Sequence, residues 1–181
     1  MTADAMLDTP IANDASAQTM AIILAAGRGS RMQSDQPKVL LPALGRPLVA
    51  HVIDALLATG IQKIVLVVGH QQELVKTELN EFSNLIFVTQ LEQLGTGHAV
   101  QMCGTQLKQH SGPVLVVTGD SPLIQPESIK SLLAEFQAIQ ASCILGSLHH
   151  DNPAGLGRIV RDPQGNFTGI VEQKDATATQ Q

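Results

Sequence analysis

Apolar residues in this chain fall into short runs, separated by longer stretches in which they recur every three or four positions. The runs Met20 to Ala25, Lys63 to Val68, Leu85 to Val88, Pro113 to Thr118 and Ser142 to Leu148 are rich in Val, Ile and Leu and end at turn-forming residues, so they predict strands. Between them, Leu48 to Ala58, Gln71 to Glu81, Gly97 to Lys108 and Glu127 to Gln140 carry the helical period. Pro126 stands where a first helical turn tolerates it, because its missing N–H would have had no partner there. Arg158 to Arg161 and Phe167 to Glu172 flank Asp162-Pro-Gln-Gly-Asn166 and predict a hairpin. Strands alternating with helices predict an α/β fold, a mostly parallel sheet with helices on both faces. In such sheets ligands bind beyond the carboxyl ends of the strands.

Composition narrows the chemistry. The chain has 181 residues, 44% of them hydrophobic, enough for one substantial core. Four Phe and no Trp or Tyr leave little for base stacking, and a net charge of −5 argues against a nucleic-acid surface. Residues 1–19 are small and polar and contain no Lys or Arg, unlike a secretory signal, and are expected to form a disordered extension before a domain at 20–175 and a tail at 176–181. No apolar stretch is long enough to span a bilayer. Cys103 and Cys143 have neither metal nor redox spacing, so both are expected as free, buried thiols in a cytoplasmic protein. The adjacent pair His149-His150 fits a surface turn better than a metal site, since neighbours on a strand point to opposite faces.

The densest chemistry lies in Leu24-Ala-Ala-Gly-Arg-Gly-Ser-Arg-Met32, followed by Pro37-Lys-Val-Leu40. Gly27 and Gly29 let backbone N–H groups approach a phosphate chain, and Arg28, Arg31 and Lys38 place charge where a polyanion would lie. The Gly-Lys-Ser/Thr ending of a Walker loop is missing, and Met32 stands where a dinucleotide fingerprint needs its third glycine. An ordinary strand-to-loop turn is the remaining alternative, and the added Arg31 and Pro-Lys pair weigh against it.

These residues resemble the signature of the sugar-1-phosphate nucleotidyltransferases. Gln90-Leu-Glu-Gln-Leu-Gly-Thr-Gly-His-Ala99, Thr118-Gly-Asp-Ser-Pro122, Gly155-Leu-Gly-Arg-Ile159 and Ile170-Val-Glu-Gln-Lys-Asp175 are similar, in the same order, to segments of the bacterial N-acetylglucosamine-1-phosphate uridylyltransferase branch. The resemblance runs from about Met20 to Asp175 and implies a Rossmann-like fold of the nucleotide-diphospho-sugar transferase type. It implies transfer of a uridylyl group from UTP to N-acetylglucosamine 1-phosphate, with release of pyrophosphate, in cell-wall precursor synthesis. No base is needed for an anionic nucleophile, so positioning and charge neutralisation must supply the rate.

Residue by residue, the resemblance assigns Arg31 and Lys38 to catalysis. It assigns Leu24, Ala25, Ala26, Gly27, Gly29, Ser30, Lys38, Gln90, Gly95 and Thr96 to the nucleotide, and Gly119, Gly157 and Glu172 to the sugar. Asp120 is the candidate ligand for Mg²⁺, an ion that takes one or two carboxylates plus phosphate oxygens and water. Gln90 can pair with the uracil edge through its amide, and His98 belongs to the opening turn of the next helix rather than to catalysis. A Tyr is usual in the family where Thr118 stands. The segments that follow Asp175 in the family, with an Asn for the sugar and a second metal ligand, have no counterpart in this sequence, and neither do hexapeptide repeats. A fragment and a short variant both remain open, as do an active uridylyltransferase and a nucleotide-binding module without turnover. Another sugar-1-phosphate or molybdenum-cofactor nucleotidyltransferase is disfavoured by Gln90 and the Gly-Thr-Gly-His-Ala segment. The expected partners are UTP and a sugar 1-phosphate, with no nucleic acid or membrane, for a monomer.

Overall fold

The computed structural model describes residues 18–27 and 36–178. These divide into two compact units, one up to Ile144 and one from Leu145. The first is built on a four-stranded parallel sheet of β1 (Met20–Leu24), β4 (Lys63–Val68), β5 (Leu85–Thr89) and β6 (Val114–Thr118), in the order β5-β4-β1-β6. A small antiparallel pair, β2 (Pro42–Ala43) and β3 (Arg46–Pro47), stands apart from it.

The continuous apolar runs of β1 and β4 are explained by burial on both faces. Ala21 and Ile23 point to one side with Ile64, Leu66 and Val68; Met20 and Ile22 point to the other with Val65 and Val67. The first face is covered by α1 (Leu48–Ala58), α2 (Gln72–Glu78) and, later in the chain, α5 (Pro126–Ala138). The second is covered by α3 (Thr96–Met102) and α4 (Gly104–Lys108), through Ala99, Cys103 and Leu107. Right-handed crossovers account for this division. The chain steps outward from β1 to β4 to β5 with its helices on one face, then returns past β1 to β6, and the reversed direction puts the connecting helices on the opposite face.

Three sequence expectations are corrected. Ser142 to Leu148 is not a strand: Leu145 and Leu148 are exposed, and among the described residues no neighbouring strand supplies the hydrogen bonds that an extended segment needs. The expected helix from Gly97 to Lys108 is two helices, broken at Cys103, where Gly104, a poor helix former, begins the second. Cys143 is exposed, while Cys103 is buried in the second core, where desolvation pushes its thiol pKa up.

The second unit contains the hairpin of β7 (Arg158–Arg161) and β8 (Phe167–Val171). Its turn is held by Asp162, whose carboxylate accepts from the Asn166 side chain and from the backbone N–H groups of Asn166 and Gln164. These hydrogen bonds keep the Asp162 pKa below its ordinary value. No helix among the described residues is long and apolar enough to cross a membrane.

Candidate functional site

The strand order reverses between β1 and β6, and loops leaving that point on the carboxyl side diverge and open a crevice. Leu24, Val67 and Thr118 occupy one rung of the sheet, with Val88 beside them. Two residues further along each chain come Ala26, Gly69, Asp120 and Gln90. The ladder continues into these loops: the N–H of Ala25 donates to Val67 O at 2.9 Å, that of Gln90 to Val68 O at 2.8 Å and that of Gly119 to Leu24 O at 2.9 Å. The result is a cleft of about 310 Å³ in the first unit.

Of the residues singled out in the sequence, Leu24, Ala25, Ala26 and Gly27 line one wall of the cleft. Lys38, Asp120, Gln90, Gly95 and Thr96 line the rest. The N–H of Ala25 is spent on Val67, whereas no described group accepts from that of Ala26 or Gly27. A Cβ at Gly27 would meet nothing within 4 Å, so its backbone faces open space. Gly29, Ser30 and Arg31, together with Arg28 and Met32, lie outside the described residues, as do residues 1–17 of the expected N-terminal extension.

Lys38 begins a single 3-10 turn, Lys38–Leu40, whose Val39 and Leu40 are buried in the first core. Those two anchors turn Lys38 toward β6, and its Nζ lies 2.6 Å from Asp120 Oδ2. Burial pushes the Asp120 pKa up. The Lys38 ammonium and the Thr118 hydroxyl, both bonded to the carboxylate, outweigh that effect and hold it below its ordinary value. Thr118 also shares a 2.7 Å hydrogen bond with the Ser121 hydroxyl. Asp120 suits an ion that draws most of its ligands from phosphates and water, as Mg²⁺ does. Among the described residues no three His, Cys, Asp or Glu gather into a metal cluster.

At the other end of the cleft Gln90 is almost fully buried, 3% exposed, just beyond β5. Its Nε2 donates to Gly95 O at 3.2 Å and lies 2.9 Å from His98 Nδ1. Gly95 has φ +103°, a conformation that favours glycine, and its carbonyl also accepts from the Ala99 N–H.

The remaining candidates are placed differently. Gly119 is buried below the cleft, where a Cβ would come within 3.2 Å of both Ile23 and Val39. Gly157 and Glu172 are exposed residues of the second unit, flanking its hairpin. Further contributors were not assigned to the site in the sequence. Gln93, Val39, Ala99 and Thr118 also line the cleft. Gly69 does not line it but allows it to form: a Cβ there would stand 2.9 Å from Ala26 O and 3.0 Å from Gln90 O. A glycine directly after the strongest apolar run was the available signal.

Comparison with known proteins bears on the family and the fold. The bifunctional protein GlmU of Geobacillus sp. (strain WCH70) is 49% identical over 157 residues, covering 87% of this chain and 34% of that protein. The GlmU of Enterococcus faecalis is 46% identical over 157 residues, again covering 87% and 34%. The chain thus spans about a third of the length of these relatives. Among solved structures, HddC from Yersinia pseudotuberculosis, complexed with GMP-PN, superposes with a TM-score of 0.65 at 20% identity, covering 84% of this chain and 68% of that one. Rv0371c from Mycobacterium tuberculosis gives 0.56 at 21%, covering 67% and 61%. Both likenesses concern the fold. Residues 21–163 match the family described as the MobA-like NTP transferase domain, and this chain belongs to that family of nucleotidyltransferases.

Proposed function

We propose that the chain transfers the uridylyl group of UTP to N-acetylglucosamine 1-phosphate in a Mg²⁺-dependent reaction. The observation that carries this reading is the pairing, in one cleft, of a Lys38–Asp120 ion pair at one end with a buried amide, Gln90, at the other. A nucleoside triphosphate presents the same polarity, charged at one end and a hydrogen-bonding base edge at the other. The choice of UTP and N-acetylglucosamine 1-phosphate rests on the resemblance of the Gln90, Asp120, Gly155 and Ile170 segments to the uridylyltransferase branch.

In this reading the free N–H groups of Ala26 and Gly27 receive phosphate oxygens. Lys38 leaves Asp120 for the phosphates and stabilises the charge that grows at the α-phosphorus and on departing pyrophosphate. Asp120 holds Mg²⁺, which supplies further neutralisation of the phosphate charge. The sugar 1-phosphate oxygen is already an anion, so the residues of the cleft orient it and need not deprotonate it. Gly119, Gly157 and Glu172 are assigned to the sugar, and Gly29, Ser30 and Arg31 to the phosphates, by their motifs. Among the described residues Asp120 is the one carboxylate lining the cleft, which favours, as a second reading, nucleotide binding without turnover.

Incubation with UTP, Mg²⁺ and N-acetylglucosamine 1-phosphate, followed by phosphorus NMR with glucose 1-phosphate as control, separates the two. UDP-N-acetylglucosamine formed only with metal is the expected result. UTP binding without product would select the second reading, and no UTP binding would overturn both.

A further inference from the structure

We propose that His98 is a positioning residue that fixes the amide of Gln90, so that the cleft meets the base with a hydrogen-bond acceptor and selects bases carrying a ring N–H, as uracil does, over cytosine. This rests on the nucleotide reading above. Its starting point is a carbonyl. Gly95 O can only accept, so the Gln90 side-chain atom 3.2 Å from it must be the amide nitrogen. The same nitrogen is 2.9 Å from His98 Nδ1. With an N–H facing it, Nδ1 must offer its lone pair, which places the imidazole proton on Nε2.

Both hydrogens of the Gln90 amide are therefore spent within the protein. Oε1 is the polar atom left over, and among the described residues nothing donates to it. An amide free to rotate could offer either edge and would tolerate uracil and cytosine alike. Held from two sides, it offers an acceptor alone: uracil N3–H satisfies it, while cytosine presents its N3 lone pair at the same position and could meet the acceptor only by shifting to bring its exocyclic amine there. The Gly95 carbonyl is itself fixed by the Ala99 N–H in the same helical turn that carries His98, so the three groups form one unit.

The test uses the full chain, with UTP and CTP as probes in equilibrium binding. The wild type should bind UTP more tightly than CTP. His98→Leu, which leaves one N–H of a buried amide without an acceptor, should cut that preference by roughly tenfold, the effect of one buried hydrogen bond. His98→Asn, whose Oδ1 stands near the position of Nδ1 and also accepts, should restore it. Nitrogen-15 NMR of His98 in the unliganded wild type should find the proton on Nε2. A wild type that prefers UTP, with the preference intact in His98→Leu, would overturn the proposal and leave the nucleotide reading standing, as would a proton on Nδ1 in the neutral ring. A wild type that binds neither nucleotide would remove the nucleotide reading and this proposal with it.

Discussion

Lys38 and Asp120, 82 residues apart in sequence, meet at 2.6 Å across the point where the strand order reverses. Each is exposed to solvent over about a third or more of its side chain, 40% and 32% respectively, so the pair adds little to folding. In the proposed function its value is electrostatic: cation and carboxylate line the same cleft as the N–H groups of Ala26 and Gly27, which have no partner among the described residues.

Lys38→Ala removes the cation without touching the core, because Val39 and Leu40 anchor the turn independently. The proposed uridylyl transfer should fall by about 10²–10³, the usual cost of losing one preorganised charge-stabilising group. Steady-state rates with thermal melting as a folding control check this; an unchanged rate would remove Lys38 from the phosphate site.

The lowered pKa of Asp120 has a defined pH signature. A carboxyl whose pKa is depressed by folding contributes its stabilisation in full above the ordinary carboxylate value and loses it as pH falls through the lower, folded value. Carbon-13 NMR should therefore find Asp120 ionised at a pH where exposed carboxyls are already protonating. In Lys38→Ala the midpoint should move upward.

Gly69→Ala would force a methyl group against Ala26 O and Gln90 O, both backbone atoms that cannot swing aside. We expect a loss of about 1–3 kcal/mol in urea unfolding, the usual cost of overpacking, with weaker nucleotide binding because both cleft walls move. Gly27→Ala, where a Cβ meets nothing, should fold normally and lose only ligand affinity.

The two thiols should separate cleanly. Cys143 is exposed, while Cys103 is buried and its pKa raised by desolvation. A thiol reagent should label Cys143 rapidly and Cys103 only at the rate of unfolding. Two equally fast sites would contradict the packing of α3 and α4 on the sheet.

Much of this arrangement was legible because burial on both faces leaves an unambiguous record. Lys63 to Val68 and Leu48 to Ala58 read in the sequence with the bounds they have in the fold, since every fully buried position within them is apolar. Ser142 to Leu148 has the same composition, but a strand also needs a neighbour, and pairing is not written in the segment itself. The break at Cys103 escaped notice because both halves keep one apolar face. In the cleft, Lys38 and Asp120 stood out by residue type and Gln90 by the resemblance of its segment, whereas Gly69 acts by lacking a side chain, and the bond between His98 and Gln90 depends on how one loop turns.

Leu24, Val67 and Thr118 share one rung of the sheet, and a slip of β6 by one residue would carry Asp120 about 3.3 Å along the strand and turn its side chain to the opposite face. Lys38, anchored in the core under α1, could not follow it. A nucleotide bound to both residues, as proposed, would thus gauge strand alignment: it would stabilise only chains whose edge strand has docked in the correct frame, and shift a folding population toward them by mass action.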